Sequence, residues 1–223
     1  MLGGCQVNDP WAFGWTQLLT IIGFCITVTI ALGSFRTFGR WKREKIEEKR
    51  LDVALEALSV AYEAQMVFED IQRPYIGQYE WQSMPDQGMD KEEKERRQPI
   101  YAVINRLDRH VSYFERVLSL QPKFMAVFGS ETKNTFTKLY RARNGIQAAV
   151  EALMFMDHPI RPDEEGTVAQ MRSDIWNTKG PAAIEPERTK KLVLEFQSDI
   201  ERICGPLVNR EFDVKRTKTL SQL

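Results

Sequence analysis

Cysteine is scarce in this sequence, with Cys5, Cys25 and Cys204 the only three in 223 residues. Cys25 lies inside an apolar run, and Cys5 and Cys204 fall on opposite sides of it. No intrachain disulfide framework is therefore expected. Histidine is scarcer, with His110 and His158 alone. Helical di-metal sites use Glu-x-x-His pairs, but Leu107 and Phe155 stand three residues before the two histidines. Net charge is missing as well: 31 basic residues balance 31 acidic ones. That removes the basic excess that nucleic-acid binding needs for counterion release. Gly3, Gly4 and Gly14 belong to no Walker or dinucleotide pattern. Cys204 has no base beside it and reads as a buried apolar side chain. The Asp157, His158, Pro159 triplet reads as a helix stop. No catalytic residue, metal ligand or cofactor is expected, and the chain is read as a non-enzyme.

What the sequence does contain is one long hydrophobic run. No charge occurs between Asp9 and Arg36. About 20 apolar residues at 1.5 Å rise cross a hydrocarbon core of about 30 Å, so residues 11–35 are expected to form a transmembrane helix. Trp11, Trp15 and Trp41 flank it as aromatic anchors. Basic residues Arg36, Arg40, Lys42, Arg43 and Lys45 follow the run and none precedes it, which predicts an external N-terminus and a cytoplasmic C-terminus. A cleaved signal peptide would carry its basic region before the run. The lipoprotein-like Leu2, Gly3, Gly4, Cys5 lacks an apolar region ahead of it.

Within the span, Thr16, Thr20, Gly23, Thr27 and Ala31 recur at helical spacing. Small residues on one face allow close approach of membrane helices, so a homo-oligomer packed through the span is one expectation. Residues 36–50 begin basic, become mixed in sign over 41–50, and read as a charged juxtamembrane stalk. Beyond them, Val53, Ala57, Val60, Ala64, Val67 and Ile71, widened by Ala54, Ala61 and Phe68, mark a helix with a buried, alanine-rich face. Arg73 and Pro74 end it.

A loop is expected from Pro74 to Gln98, with its closing charge run, 90–97, open to either loop or the start of a helix. Pro99 then suits the first position of a second helix, whose stripe is Ile100, Ile104, Leu107, Val111, Phe114 and Leu118. Pro122 closes that helix or starts a new turn. A short connector, 123–129, leads to a third helix of about 131–156, with Ser130 as its cap. A proline-rich stretch, 159–186, holds one short helix near 168–176. The last helix opens at Pro186 and Glu187 and ends at Gly205 and Pro206. The sum is an all-α chain: an N-terminal transmembrane helix followed by a cytosolic bundle of about four helices. Its divisions are an external N-terminus (1–10), span (11–35), stalk (36–50), bundle (51–209) and flexible tail (210–223). The first bundle helix outruns the second by about ten residues, which at 1.5 Å each predicts a domain lifted about 15 Å from the bilayer.

Two side-chain groups stand out. Arg143 falls within the stripe of the third helix and needs a partner, because an unpaired buried charge is costly; Glu69, Asp70 and Asp108 are the candidates. Tyr75, Tyr79, Trp81 and Trp176 lie in loops and form a candidate partner surface.

Residues 54–58, 62–64 and 71–74, with the segment Lys123, Phe124, Met125, Ala126, Val127, Phe128, Gly129, carry a resemblance to an uncharacterised family of bacterial single-pass membrane-anchored helical proteins. It covers roughly residues 50–155 and implies a setting in the bacterial inner membrane. It supplies no substrate and no site. The expected function is a membrane-tethered helical interaction or scaffold module. Its expected partners are the bilayer, an unidentified protein and a second copy of itself, with no nucleic acid. The alternative is an oligomerising membrane effector whose cytosolic domain senses a signal.

Overall fold

The computed structural model describes residues 14–85, 88–156, 164–177, 183–185 and 187–220, with the backbone alone at 16, 36 and 210–220. The expectations for residues 1–10, Trp11, Cys5, the helix stop at 157–159 and the opening at Pro186 lie outside these residues, as do the side chains of Thr16 and Arg36. Six α-helices and no strand occur among the described residues: α1 (Trp15–Ile71), α2 (Lys91–Arg109), α3 (Val111–Phe128), α4 (Lys133–Phe155), α5 (Glu165–Trp176) and α6 (Arg188–Leu220). Short 3-10 turns occupy Gln78–Glu80 and Ser130–Thr132. The chain divides into two compact units, Met1–Lys49 and Arg50–Leu223.

The described part of the first unit is the leading segment of α1. It is long and apolar enough to cross a membrane. Large apolar side chains are exposed around it, from Trp15 through Leu19, Phe24, Ile30 and Phe35 to Trp41. A helix apolar on every face and buried against nothing suits a hydrocarbon solvent. Its hydroxyls are satisfied internally: Thr27 donates to the Gly23 carbonyl (2.8 Å), Thr29 to Cys25 (2.7 Å), Ser34 to Ile30 (2.8 Å) and Thr37 to Gly33 (3.0 Å). Back-bonding of this kind removes the desolvation penalty of a hydroxyl in lipid.

In the second unit, four long helical segments pack with antiparallel neighbours. Along α1 and α3 the pairs run in opposite order. Arg50 lies over the Phe128 ring at 5.4 Å, Lys123 faces Glu56 at 3.7 Å, the Tyr113 hydroxyl donates to the Val60 carbonyl at 3.1 Å, and Phe68 meets Phe114 at 6.0 Å. Ala54, Ala57, Ala61 and Ala64 are all fully buried, so the alanine stripe faces packed neighbours as expected. The helices α3 and α4 form a hairpin through Gly129, with Phe124 against Phe136 (5.4 Å) and the Tyr140 hydroxyl on Gln121 (2.9 Å). In turn α4 runs against α6, with Phe136 on Phe196 (5.7 Å) and Lys138 on Asp199 (2.8 Å). The ring chain from Phe128 through Phe124 and Phe136 to Phe196 joins three helices. Each fully buried side chain of this size contributes roughly 1.5–3 kcal/mol.

Several expectations are corrected. The second helix is two helices. Asp90 caps α2, its carboxylate accepting from the Glu93 amide at 2.7 Å, so the charge run 90–97 is already helical and Pro99 lies inside the helix. At His110 the backbone turns (φ −95°, ψ 11°) and α3 begins. That break rephases the buried face. Val111 and Leu118 of the expected stripe are exposed, while Tyr113, Val117, Leu120 and Phe124 are buried instead. The connector 123–128 is helical, and Pro122 sits inside α3. Likewise α6 runs on through Pro206 to Leu220. An interior proline costs about 3 kcal/mol, but Leu207 and Val208 pack against the core beyond it and the helix continues. The helix α4 starts at Lys133 with no side-chain cap from Ser130; the Thr132 hydroxyl instead donates to the Gly129 carbonyl at 2.7 Å.

Candidate functional site

The loop after α1, the Arg106 end of α2 and the C-terminal part of α5 meet at the end of the bundle where α1 finishes. The loop after α1 turns inward there because two of its carbonyls and the last carbonyl of α1 have a common donor. Arg106 of α2 is fully buried. Its Nη1 donates to the carbonyls of Ile71 (3.3 Å) and Arg73 (2.5 Å), and its Nη2 to that of Tyr75 (2.7 Å). Its Nε and Nη2 both reach Glu80 Oε2, at 3.0 and 2.5 Å. All five guanidinium donors are thus used, as a buried arginine requires. The cation also sits at the carbonyl end of α1, where the helix dipole favours positive charge.

Glu80 completes the cluster. It is buried on the 3-10 turn, and its Oε1 accepts from Arg73 (2.7 Å) and the Tyr79 hydroxyl (3.2 Å). Burial pushes its carboxyl up. The hydrogen bond and charge of Arg106, with Tyr79 and Arg73, outweigh that push and hold it below the usual range. Asn105 donates to the Glu80 carbonyl at 2.6 Å. Beside this cluster, Asp70 on the last turn of α1 accepts from His110 Nε2 at 2.9 Å and lies 3.6 Å from Arg109. Burial raises the Asp70 carboxyl, while His110, Arg109 and Arg73 bring it below its ordinary value.

Of the candidate partner surface, Tyr75 and Tyr79 are 76% and 66% exposed on this pinned loop. Trp81 is half-buried just after the turn. Trp176, half-buried at the end of α5, is not stacked on any of the three; no ring pair joins these four side chains among the described residues. It lines two grooves instead. One, of about 370 Å³, runs between α1 and α6 past Phe68, Gln72, Arg73, Lys190 and Val193. The other, of about 360 Å³, lies between α2, α4 and α5.

At the same end, Asp174 is buried on α5, with Arg188 Nη2 at 2.5 Å and Gln170 Nε2 at 3.1 Å. Burial dominates here and holds its carboxyl above the ordinary value. Gln72 donates to the Asp174 carbonyl at 2.6 Å, fastening α5 to the end of α1.

Arg143 pairs with none of Glu69, Asp70 or Asp108. It is half-buried, with its guanidinium 5.1 Å from the centre of the Phe114 ring and its Nε without an acceptor. The sequence reading missed Arg106 and Glu80. The available signal was the spacing Ile100, Val103, Arg106, which continues the buried face of α2. Following it required α2 to be phased separately from α3.

Thr20, Gly23, Thr27 and Ala31 of the span are exposed, and a Cβ added at Gly23 would meet nothing within 4 Å. Among the basic flank, Arg40 pairs with Glu44 (3.2 Å), Lys45 with Glu48 (2.5 Å), and Arg43 donates to the Gly39 carbonyl (3.3 Å), while Lys42 is exposed. Among the described residues no group of three or more His, Cys, Asp or Glu side chains is placed to hold a metal ion. Comparison with protein families, with curated proteins and with solved structures found no match to this chain.

Proposed function

We propose that this chain is a membrane-tethered interaction module of the bacterial inner membrane. The leading part of α1 spans the bilayer with its N-terminal side outside, and the helical bundle lies in the cytoplasm, where Tyr75 and Tyr79 engage a protein partner. The observation that carries this reading is the pinned loop. A buried, fully satisfied arginine holds two loop carbonyls and the last carbonyl of α1 inward while the loop's two tyrosines are exposed to solvent. Loops held rigidly by the scaffold, with large aromatics left outside, are the usual form of a recognition surface.

The test uses the full chain in its membrane. Cross-linking and capture from wild-type cells are compared with capture by the Tyr75→Ala, Tyr79→Ala double variant. A specific partner should fall at least about tenfold, as expected when hot-spot aromatics are lost. Equal recovery of the same partners refutes the reading. A reporter fused after Leu223 should read out as cytoplasmic, and an external readout overturns the orientation. The effector alternative is separated by overproduction: loss of membrane potential that Gly23→Leu abolishes would favour it over the scaffold.

A further inference from the structure

The groove between α2, α4 and α5 is lined by Arg96, Pro99, Ile100, Leu153, Met156, Arg172 and Trp176, and encloses about 360 Å³. Its lining holds two guanidiniums and no carboxylate. Arg96 is fixed at one side, its Nη1 donating to the carbonyls of Leu153 (3.3 Å) and Met156 (3.5 Å) at the end of α4. Arg96 has no acidic partner among the described residues, and Arg172 makes no hydrogen bond or ion pair among them. Trp176, which lines both this groove and the one between α1 and α6, has its Nε1 buried without an acceptor. The rest is hydrocarbon from Pro99, Ile100, Leu153 and Met156. The volume falls at the lower end of small-molecule sites, roughly 300–1,000 Å³.

We propose that this pocket binds an anionic amphiphile, a molecule with one carboxylate or phosphate head and a short apolar body. The head sits between Arg96 and Arg172, where charge-assisted hydrogen bonds to guanidinium are strongest. The body covers Ile100, Leu153 and Met156. Such a ligand is supplied either by a free acyl acid or by a bilayer lipid, and the shared chemistry is the anionic head on a chain. This site shares no residue with Tyr75 or Tyr79, so its failure leaves the proposed partner surface untouched.

The test uses the full-length protein in phosphatidylcholine nanodiscs, with octanoate, octanol and inorganic phosphate as probes in calorimetry and thermal unfolding. Octanoate should bind at least about tenfold more tightly than octanol, and phosphate alone should fail to raise Tm, because head and chain both contribute. Arg172→Gln, at an exposed position, keeps the fold and should lose about tenfold in octanoate affinity; partition of octanoate into the nanodisc is the same for both proteins and cancels. Arg96→Met should lose as much, with far-UV circular dichroism checking that α4 is intact. Phosphatidylglycerol nanodiscs that raise Tm in an Arg172-dependent way assign the ligand to the bilayer, whereas a response to octanoate alone assigns it to a free acid. Equal binding of octanol and octanoate, or unchanged affinity in Arg172→Gln, overturns the proposal.

Discussion

Replacing Arg106 with methionine is the most informative single perturbation of this fold. Methionine keeps the apolar stem in place and deletes the guanidinium. Three backbone carbonyls, at Ile71, Arg73 and Tyr75, then lose their donor, and Glu80 loses the charge that holds it ionised in a buried position. Removing one member of a buried ion pair costs about 3–5 kcal/mol. Arg73 still reaches Glu80 Oε1 from a partly exposed position, and water can replace the donor at the loop carbonyls, so the middle of that range, about 4 kcal/mol, is expected. Domains of this size are stable by only about 5–15 kcal/mol, so the variant should sit near its unfolding threshold. Glu80→Leu alone should cost about 2–4 kcal/mol, because Arg106 keeps its three carbonyls while losing its counter-charge. In the double variant no charge is left stranded, and the combined loss should fall short of the sum by at least about 2 kcal/mol. Urea unfolding of the full chain in non-denaturing micelles, followed by far-UV circular dichroism, gives these values, since the helical span in the micelle contributes a constant background. A loss below about 1 kcal/mol for Arg106→Met, or strict additivity in the double variant, would refute the view that this pair organises the loop.

Four further outcomes follow from individual groups. The Glu80 carboxyl titrates below its ordinary value of 4.5 in the folded state, so its contribution is present above that value and is lost as pH falls through the folded one; acid titration of stability should lose this component in Glu80→Gln. Asp174 has the opposite sign: burial raises its folded value, so the ionised form costs stability at neutral pH, and Asp174→Asn should unfold within about 1 kcal/mol of wild type or later, as urea midpoints will show. Gly129 turns the chain between α3 and α4 at φ 106° and ψ 153°, a region nearly confined to glycine, so Gly129→Ala should cost about 1–3 kcal/mol in the same assay. Cys204 is fully buried and its thiol is pushed up to about 12 by burial; its alkylation at pH 8, read by peptide mass in a Cys5→Ser, Cys25→Ser background, should follow unfolding of α6, and rapid labelling of Cys204 in the native protein would contradict its placement.

Much of the bundle was legible along the chain because helical periodicity reports directly that a face is buried. The stripe from Ala54 to Ile71 is buried almost residue for residue. The absence of strand alternation was equally decisive for the helical class, and the uncharged run after Asp9 marked a helix able to span a membrane from its length and composition alone. Periodicity does not say which neighbour covers a face, and there the reading lost accuracy. Ile100 to Leu118 fits one helical stripe, yet the chain breaks at His110. The break lets Tyr113 and Phe124 reach the core while Arg106 reaches the loop, a gain that depends on α1 and α4 being present.

The candidate site divides along the same line. Tyr75 and Tyr79 could be named from the sequence, because aromatics in a polar loop stand out locally. Arg106 and Glu80 could not, since a charged residue is stable in a core only when its partners arrive from elsewhere in the chain. Arg143 had the better sequence pattern for a buried charge, but it lies half-buried with its guanidinium over the Phe114 ring and its Nε without an acceptor. Local pattern therefore determined that this chain is helical, where its first helix is apolar on every side, and which face of the following segment is buried. Tertiary structure alone decided where α2 ends, that α6 continues past Pro206, and which arginine is enclosed. Those outcomes depend on contacts between residues 26 to 35 positions apart or more, whose free energy no single stretch of sequence contains.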